Sequence, residues 1–172
     1  AALLEGVPRK DLDAAAKAIS DGYLAGASSQ AIATPLAAAA YATARMPATY
    51  AACAAVFARL AEMMPDFAPA SLLDVGAGTG AASWAAVTEW PGLNAITMLE
   101  PNPALRNLAR RLAESGSLGC AEFLSGDLEV EKPEADLVVA SYVLAELPGA
   151  NSGAVARDLW QDAKSTLVLI EP

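Results

Sequence analysis

Leu72-Leu-Asp-Val-Gly-Ala-Gly-Thr-Gly80 is the stretch on which the reading of this chain turns. A short apolar run ends in glycines at 76, 78 and 80, and an alanine-rich segment over 81–89 with helical composition follows directly. Glycine takes positive φ and lets a ligand approach the backbone closely, so a strand turning through such a loop into a helix offers N–H groups to a nucleotide-like ligand. Downstream, Ala95-Ile-Thr-Met-Leu99, Glu122-Phe-Leu-Ser125, Asp136-Leu-Val-Val-Ala-Ser141 and Thr166-Leu-Val-Leu-Ile170 read as further strands, with helices over 103–114 and 153–163. Strands that lack polar alternation and are separated by helices predict a buried parallel sheet of the doubly wound α/β kind, Rossmann-like, with at least five strands.

Upstream of residue 71 the pattern is helical. Leu12, Ala16, Ile19 and Tyr23 recur at helical spacing, and two alanine-rich helices are expected over 34–45 and 49–64. The expected break between them is Met46-Pro47, because proline removes a donor and biases its predecessor away from helix. Thr34 before Pro35 reads as an N-cap, and Thr49 as a second one. The organisation predicted is a helical N-terminal subdomain, 1–68, followed by a Rossmann-like domain, 69–172.

Composition narrows the chemistry. The 172 residues carry 11 basic and 20 acidic side chains, a net charge of -9, and no histidine. Imidazole general bases, catalytic triads and histidine metal sites are thereby excluded from this chain. Cys53 and Cys120 have no paired spacing, so no metal is assigned and a reducing compartment is expected. The uncharged stretch 22–44 contains Ser28, Ser29, Gln30, Thr34 and Pro35 and is apolar mainly through alanine, so neither a membrane span nor a secretory leader is predicted. The expected location is cytoplasmic.

The charges of individual residues then choose the ligand. Asp74, two positions before the first glycine, would repel a dinucleotide pyrophosphate but would accept a cationic group. Charge complementarity therefore favours S-adenosylmethionine, which has an ammonium and a sulfonium and no phosphate. Glu100, ending the second strand, is placed to accept ribose hydroxyls. Asp127, in Ser125-Gly-Asp-Leu128, can accept from an exocyclic amine while Leu128 packs on a purine face. The candidate cofactor residues are Asp74, Gly76, Gly78, Gly80, Glu100, Asp127 and Leu128. Taken singly, each acid also reads as a turn or surface residue; in this strand order they form one pocket.

This pattern resembles the class I S-adenosylmethionine-dependent methyltransferases. Tyr41-Ala-Thr-Ala-Arg-Met-Pro-Ala-Thr-Tyr50, Pro65-Asp-Phe-Ala-Pro69, the glycine loop, Ala82-Ser-Trp84 and Asp136-Leu-Val-Val-Ala-Ser-Tyr-Val-Leu-Ala-Glu-Leu147 are more narrowly similar to the methyltransferase-like mitochondrial small-ribosomal-subunit assembly factors and their bacterial relatives. Thr79 departs from the proline expected there. The resemblance implies cofactor binding, association with small-subunit ribosomal RNA or its precursors, and in many members a cysteine-ligated iron-sulfur cluster beyond the fifth strand. The chain ends at Leu169-Ile-Glu-Pro172, so a sheet cut after its fifth strand is expected.

Three functions follow from that resemblance: a methyltransferase acting on or near small-subunit RNA, a non-catalytic cofactor-binding assembly factor, or a small-molecule methyltransferase. Ser141 and Tyr142 after the fourth strand are the catalytic candidates, though Tyr142 reads equally well as packing under the next helix. Arg45 and Tyr50 are read either as a lid on the cofactor or as helix packing. Arg106, Arg110 and Arg111 offer a local basic face, but the acidic balance predicts that any RNA contacts come mainly from segments outside these residues. No DNA partner is expected.

Overall fold

The computed structural model describes residues 7–24, 29–114, 116–126, 131–146 and 152–172. Two helices lead, α1 (Arg9–Leu24) and α2 (Pro35–Met63). Strands and helices then alternate: β1 (Ser71–Val75), α3 (Ala81–Glu89), β2 (Ala95–Leu99), α4 (Pro103–Ala113), β3 (Glu122–Leu124), β4 (Ala135–Ser141), α5 (Ser152–Asp162) and β5 (Ala163–Ile170). The five strands form one parallel sheet in the order β3-β2-β1-β4-β5, as the unalternating apolar runs predict.

Because successive side chains point to opposite faces, β1 feeds two cores. Leu72 packs with Leu137, Val139, Phe57 and Trp90 beneath α2 and α3, whereas Leu73 and Val75 join Val138, Ala140 and Leu159 beneath α5. Alanine has a structural use here. Ala81, Ala82, Ala85 and Ala86 of α3 are all buried, and such small side chains let helix backbones approach closely where bulk would hold them apart. The larger volume comes from aromatic residues: Trp90 meets Phe57 at 5.3 Å and Phe67 edge-on at 5.6 Å between ring centroids. Asp136 aligns β4 with β1 by accepting from the N–H groups of Ala70 and Ser71 at 2.9 and 3.0 Å, while Ser71 Oγ accepts from the Asp136 N–H.

The expected division of the second helix at Met46-Pro47 is corrected. α2 is continuous through Pro47, and Thr49 lies inside it rather than capping a new helix. Only the first cap forms as read: Thr34 Oγ1 accepts from Ala37 N–H at 3.1 Å, with Pro35 opening the helix. Proline's missing N–H costs one bond to the Thr43 carbonyl, but Thr43 and Pro47 are both solvent-exposed, where water can replace that partner. Cys53 and Phe57 are buried on the second half of α2 and Ala38 and Ala40 on the first, so packing anchors both halves against the propensity. Pro47→Ala is therefore expected to raise stability by about 2 kcal/mol, read as a higher urea midpoint with an unchanged slope. A lower midpoint would show that the helix depends on the proline. Among the described residues, no helix is long and apolar enough to cross a membrane.

Candidate functional site

In an open parallel sheet, ligands bind beyond the carboxyl ends of the strands where the chain reverses its direction of addition. Here that point lies between β1 and β4, the strands on either side of the reversal. The loop after β1 is built as its glycines require: Gly76, Gly78 and Gly80 have φ of 65°, 56° and 87°. A Cβ on Gly76 would lie 2.4 Å from Val143 Cγ2, so this turn packs directly on the segment leaving β4. Gly80 is the N-cap of α3, and its missing side chain leaves room for Met98.

Asp74 is wholly buried on the α2/α3 face of β1. One carboxylate oxygen, Oδ2, accepts from the Ser83 hydroxyl at 2.6 Å and the Ser83 N–H at 3.1 Å. The other, Oδ1, is buried without a hydrogen-bond partner. Burial, reinforced by the nearby charge of Glu100, pushes this carboxyl up to about 7 against the pull of the Ser83 hydrogen bonds. Burial also pushes the Cys53 thiol on α2 up to about 12, with Asp74 adding to the effect. Ser141, one of the catalytic candidates, lies close enough to the thiol to oppose that rise.

Glu100 follows β2 and is 4% exposed. Its Oε2 accepts from the Gly78 N–H and its Oε1 from the Asn102 N–H, both at 2.7 Å. Burial raises its pKa, the Gly78 and Asn102 hydrogen bonds oppose the rise, Glu146 adds to it, and Arg106 lowers it. The structure thus brings together Asp74, the three glycines and Glu100, with Glu146 close enough to be felt. Asp127 and Leu128 lie outside the described residues. Tyr142 is 37% exposed, holds φ of 59° and donates its N–H to the Ile170 carbonyl at 2.7 Å.

Two of the three arginines of α4 are engaged locally. Arg106 Nη1 donates to the carbonyls of Glu100 and Pro101 at 2.5 and 3.1 Å, and Arg110 lies over the Phe123 ring at 5.1 Å. Tyr50 directs its hydroxyl to Thr88 at 3.4 Å and lines a groove of about 400 Å³ between α2 and α3, with Met46, Pro47 and Trp84. No acid lines that groove, which belongs to the helix packing rather than to the carboxyl edge.

Sequence reasoning missed Ser83, Asn102 and the pairing of Glu146 with Ser29. Asn102-Pro103 did carry a readable signal, an N-cap residue before a proline at the first helical position. The donors that its side chain sends to residues 29 and 32 had none.

A sheet in this order, with a glycine loop after its first strand and a buried acid after its second, is the class I methyltransferase fold. Solved structures agree. Mitomycin 7-O-methyltransferase MmcR superposes with a TM-score of 0.62 at 25% identity over 78% of this chain and 39% of its own. Magnesium protoporphyrin IX methyltransferase ChlM from Synechocystis PCC 6803, solved with bound SAM, gives 0.56 at 19% identity over 70% and 57%.

Within that fold, the chain belongs to the Rsm22 family, whose model, described as mitochondrial small ribosomal subunit Rsm22, matches residues 35–172. The human mitochondrial ribosome assembly protein METTL17 is 32% identical over 139 residues, 76% of this chain, and the chain spans 30% of that relative's length. These findings correct the cytoplasmic location expected from the sequence, since both the family description and the human relative are mitochondrial.

Proposed function

We propose that this chain binds S-adenosylmethionine at the carboxyl edge of its sheet and serves assembly of the small ribosomal subunit. The observation that carries the cofactor is Asp74, a fully buried carboxyl with one oxygen unpartnered and a second buried acid nearby. Such a pocket disfavours a pyrophosphate and accepts a cation. Asp74 and Glu100 would hold the cofactor's polar ends, and the glycine loop would admit it against the backbone. The role in assembly rests on the family and on METTL17.

When bound, the cofactor supplies an electrophilic methyl group. Methyl transfer as a second reading is supported by Tyr142, whose positive φ at the end of β4 is uncommon for a bulky residue. Small-subunit ribosomal RNA is the acceptor class proposed.

Titration calorimetry separates the ligands. Adenosylmethionine should bind and NAD should not, and the reverse result would overturn the cofactor assignment. Glu100→Gln is expected to weaken adenosylmethionine binding by about 1–3 kcal/mol, since it removes the charge of a buried acceptor. A radiolabelled methyl-transfer assay on assembling small subunits tests catalysis, and Tyr142→Ala should abolish any label transferred.

A further inference from the structure

Asn102 uses its polar groups in three directions. Its backbone N–H donates to Glu100 Oε1 at 2.7 Å. Its Oδ1 caps α4 by accepting from the N–H groups of Ala104 and Leu105 at 2.8 and 3.2 Å. Its Nδ2 donates to the carbonyls of Ser29 and Ile32, at 2.8 and 2.9 Å. The residue is 6% exposed, so these bonds are made largely out of water. The segment it holds is fixed from two other sides. Glu146 Oε2 accepts from the Ser29 hydroxyl at 2.7 Å and the Ser29 N–H at 3.1 Å, and buried Ile32 packs with Ala38, Leu105 and Leu108. A continuous chain of hydrogen bonds thus runs from Gly78 through Glu100 and Asn102 to Ser29 and on to Glu146.

We propose that Asn102 is a positioning residue that couples the adenosyl pocket to the N-terminal segment at 29–32, so that filling the pocket and seating the segment favour each other. This rests on the cofactor reading above. The seated segment immobilises the Asn102 side chain, and with it the N–H that aims the Glu100 carboxylate. It also ties down Glu146, whose charge acts on Glu100. Because coupling between two sites is reciprocal, a ligand that prefers the held Glu100 must strengthen the hold on the segment by the same factor. A simple capping role would not require an amide here: aspartate caps a helix as well as asparagine does. Asparagine differs from aspartate in its Nδ2 donors and in carrying no charge, and both donors go to the segment.

Asn102→Asp is therefore the informative variant. It preserves the cap, replaces two donors by an oxygen facing two carbonyls, and adds an acid beside Glu100. In the full chain, calorimetry with adenosylmethionine is combined with amide hydrogen exchange over 29–32 and over α4. In the wild type, saturating adenosylmethionine should slow exchange at 29–32 about fivefold or more. In Asn102→Asp, affinity should fall by a similar factor, exchange at 29–32 should be fast and indifferent to the cofactor, and α4 should keep its protection. Ser29→Ala, which leaves Asn102 and the α4 cap intact, should lower affinity in the same direction by a smaller factor.

Wild-type binding without any response at 29–32 overturns the coupling while leaving the cofactor reading intact. So does unchanged affinity in both variants. No heat from the wild type overturns the pocket and the coupling together.

Discussion

Adenosylmethionine affinity should rise about tenfold for each pH unit between pH 5 and pH 7 and then level off. The cause is Asp74. Burial and the charge of Glu100 push its carboxyl up to about 7, so below neutrality it holds a proton that a cationic ligand must expel. Cys53, the thiol facing it from α2, is pushed up to about 12 and stays neutral throughout, while Ser83 contributes only hydrogen bonds. Glu100 beside it is also shifted upward by burial.

The sign for stability is the opposite. A carboxyl whose folded pKa lies above its unfolded value of 3.8 binds more protons in the folded state across that interval. The ligand-free protein should therefore lose stability as pH rises from about 4 to about 7. The cofactor's own amino group titrates near the top of the range, so the decisive comparison is with Asp74→Asn, which should flatten both dependences. Calorimetry in buffers of different ionisation enthalpy gives the proton count directly. Close to one proton should be released at pH 6, and equal heats in all buffers at that pH would eliminate the protonated Asp74.

Gly76→Ala should destabilise the fold by about 3 kcal/mol, the sum of a left-handed φ penalty of about 1–2 kcal/mol and the cost of overpacking. The added Cβ would fall 2.4 Å from Val143 Cγ2, a branched side chain with little freedom to withdraw. Gly76→Ala combined with Val143→Ala separates the contributions. The double variant should regain the steric part relative to its single-variant background, leaving the backbone penalty and the Val143 truncation cost. Urea denaturation of the four-member cycle measures the coupling, and additivity of the two substitutions would mean that the Gly76 turn does not press on Val143.

The sheet was legible because its signals are local. Five apolar runs, a glycine loop and helix caps such as Thr34 each act over a few residues, and together they predict parallel strands. Pro47 misled for the converse reason: its propensity is local, but Cys53, Phe57, Ala38 and Ala40 anchor both halves of the continuous helix through contacts that no short window displays. Asp74 and Glu100 could be placed near one another because strand ends in this fold converge. What each carboxylate is bonded to could not be read, since Ser83, Gly78 and Asn102 became partners only through the turn geometry. The arginines of α4 read as a local basic face, and the partners of two of them were not legible: Arg106 serves nearby carbonyls and Arg110 an aromatic ring.

The strand order also governs when the site can exist during synthesis. β1 pairs with β2 on one side and with β4 on the other, and Val143, which packs on the Gly76 turn, follows β4. A nascent chain that has emerged only as far as β3 therefore has its glycine loop and Glu100 but leaves one edge of β1 bare. Parallel pairing across so long a separation is slow, and an open apolar edge invites wrong partners in the interval. The pocket is thus completed late, after Ser141 has emerged. Conditions that slow elongation between β3 and β4 should lengthen the exposure of that edge and increase the demand for chaperones.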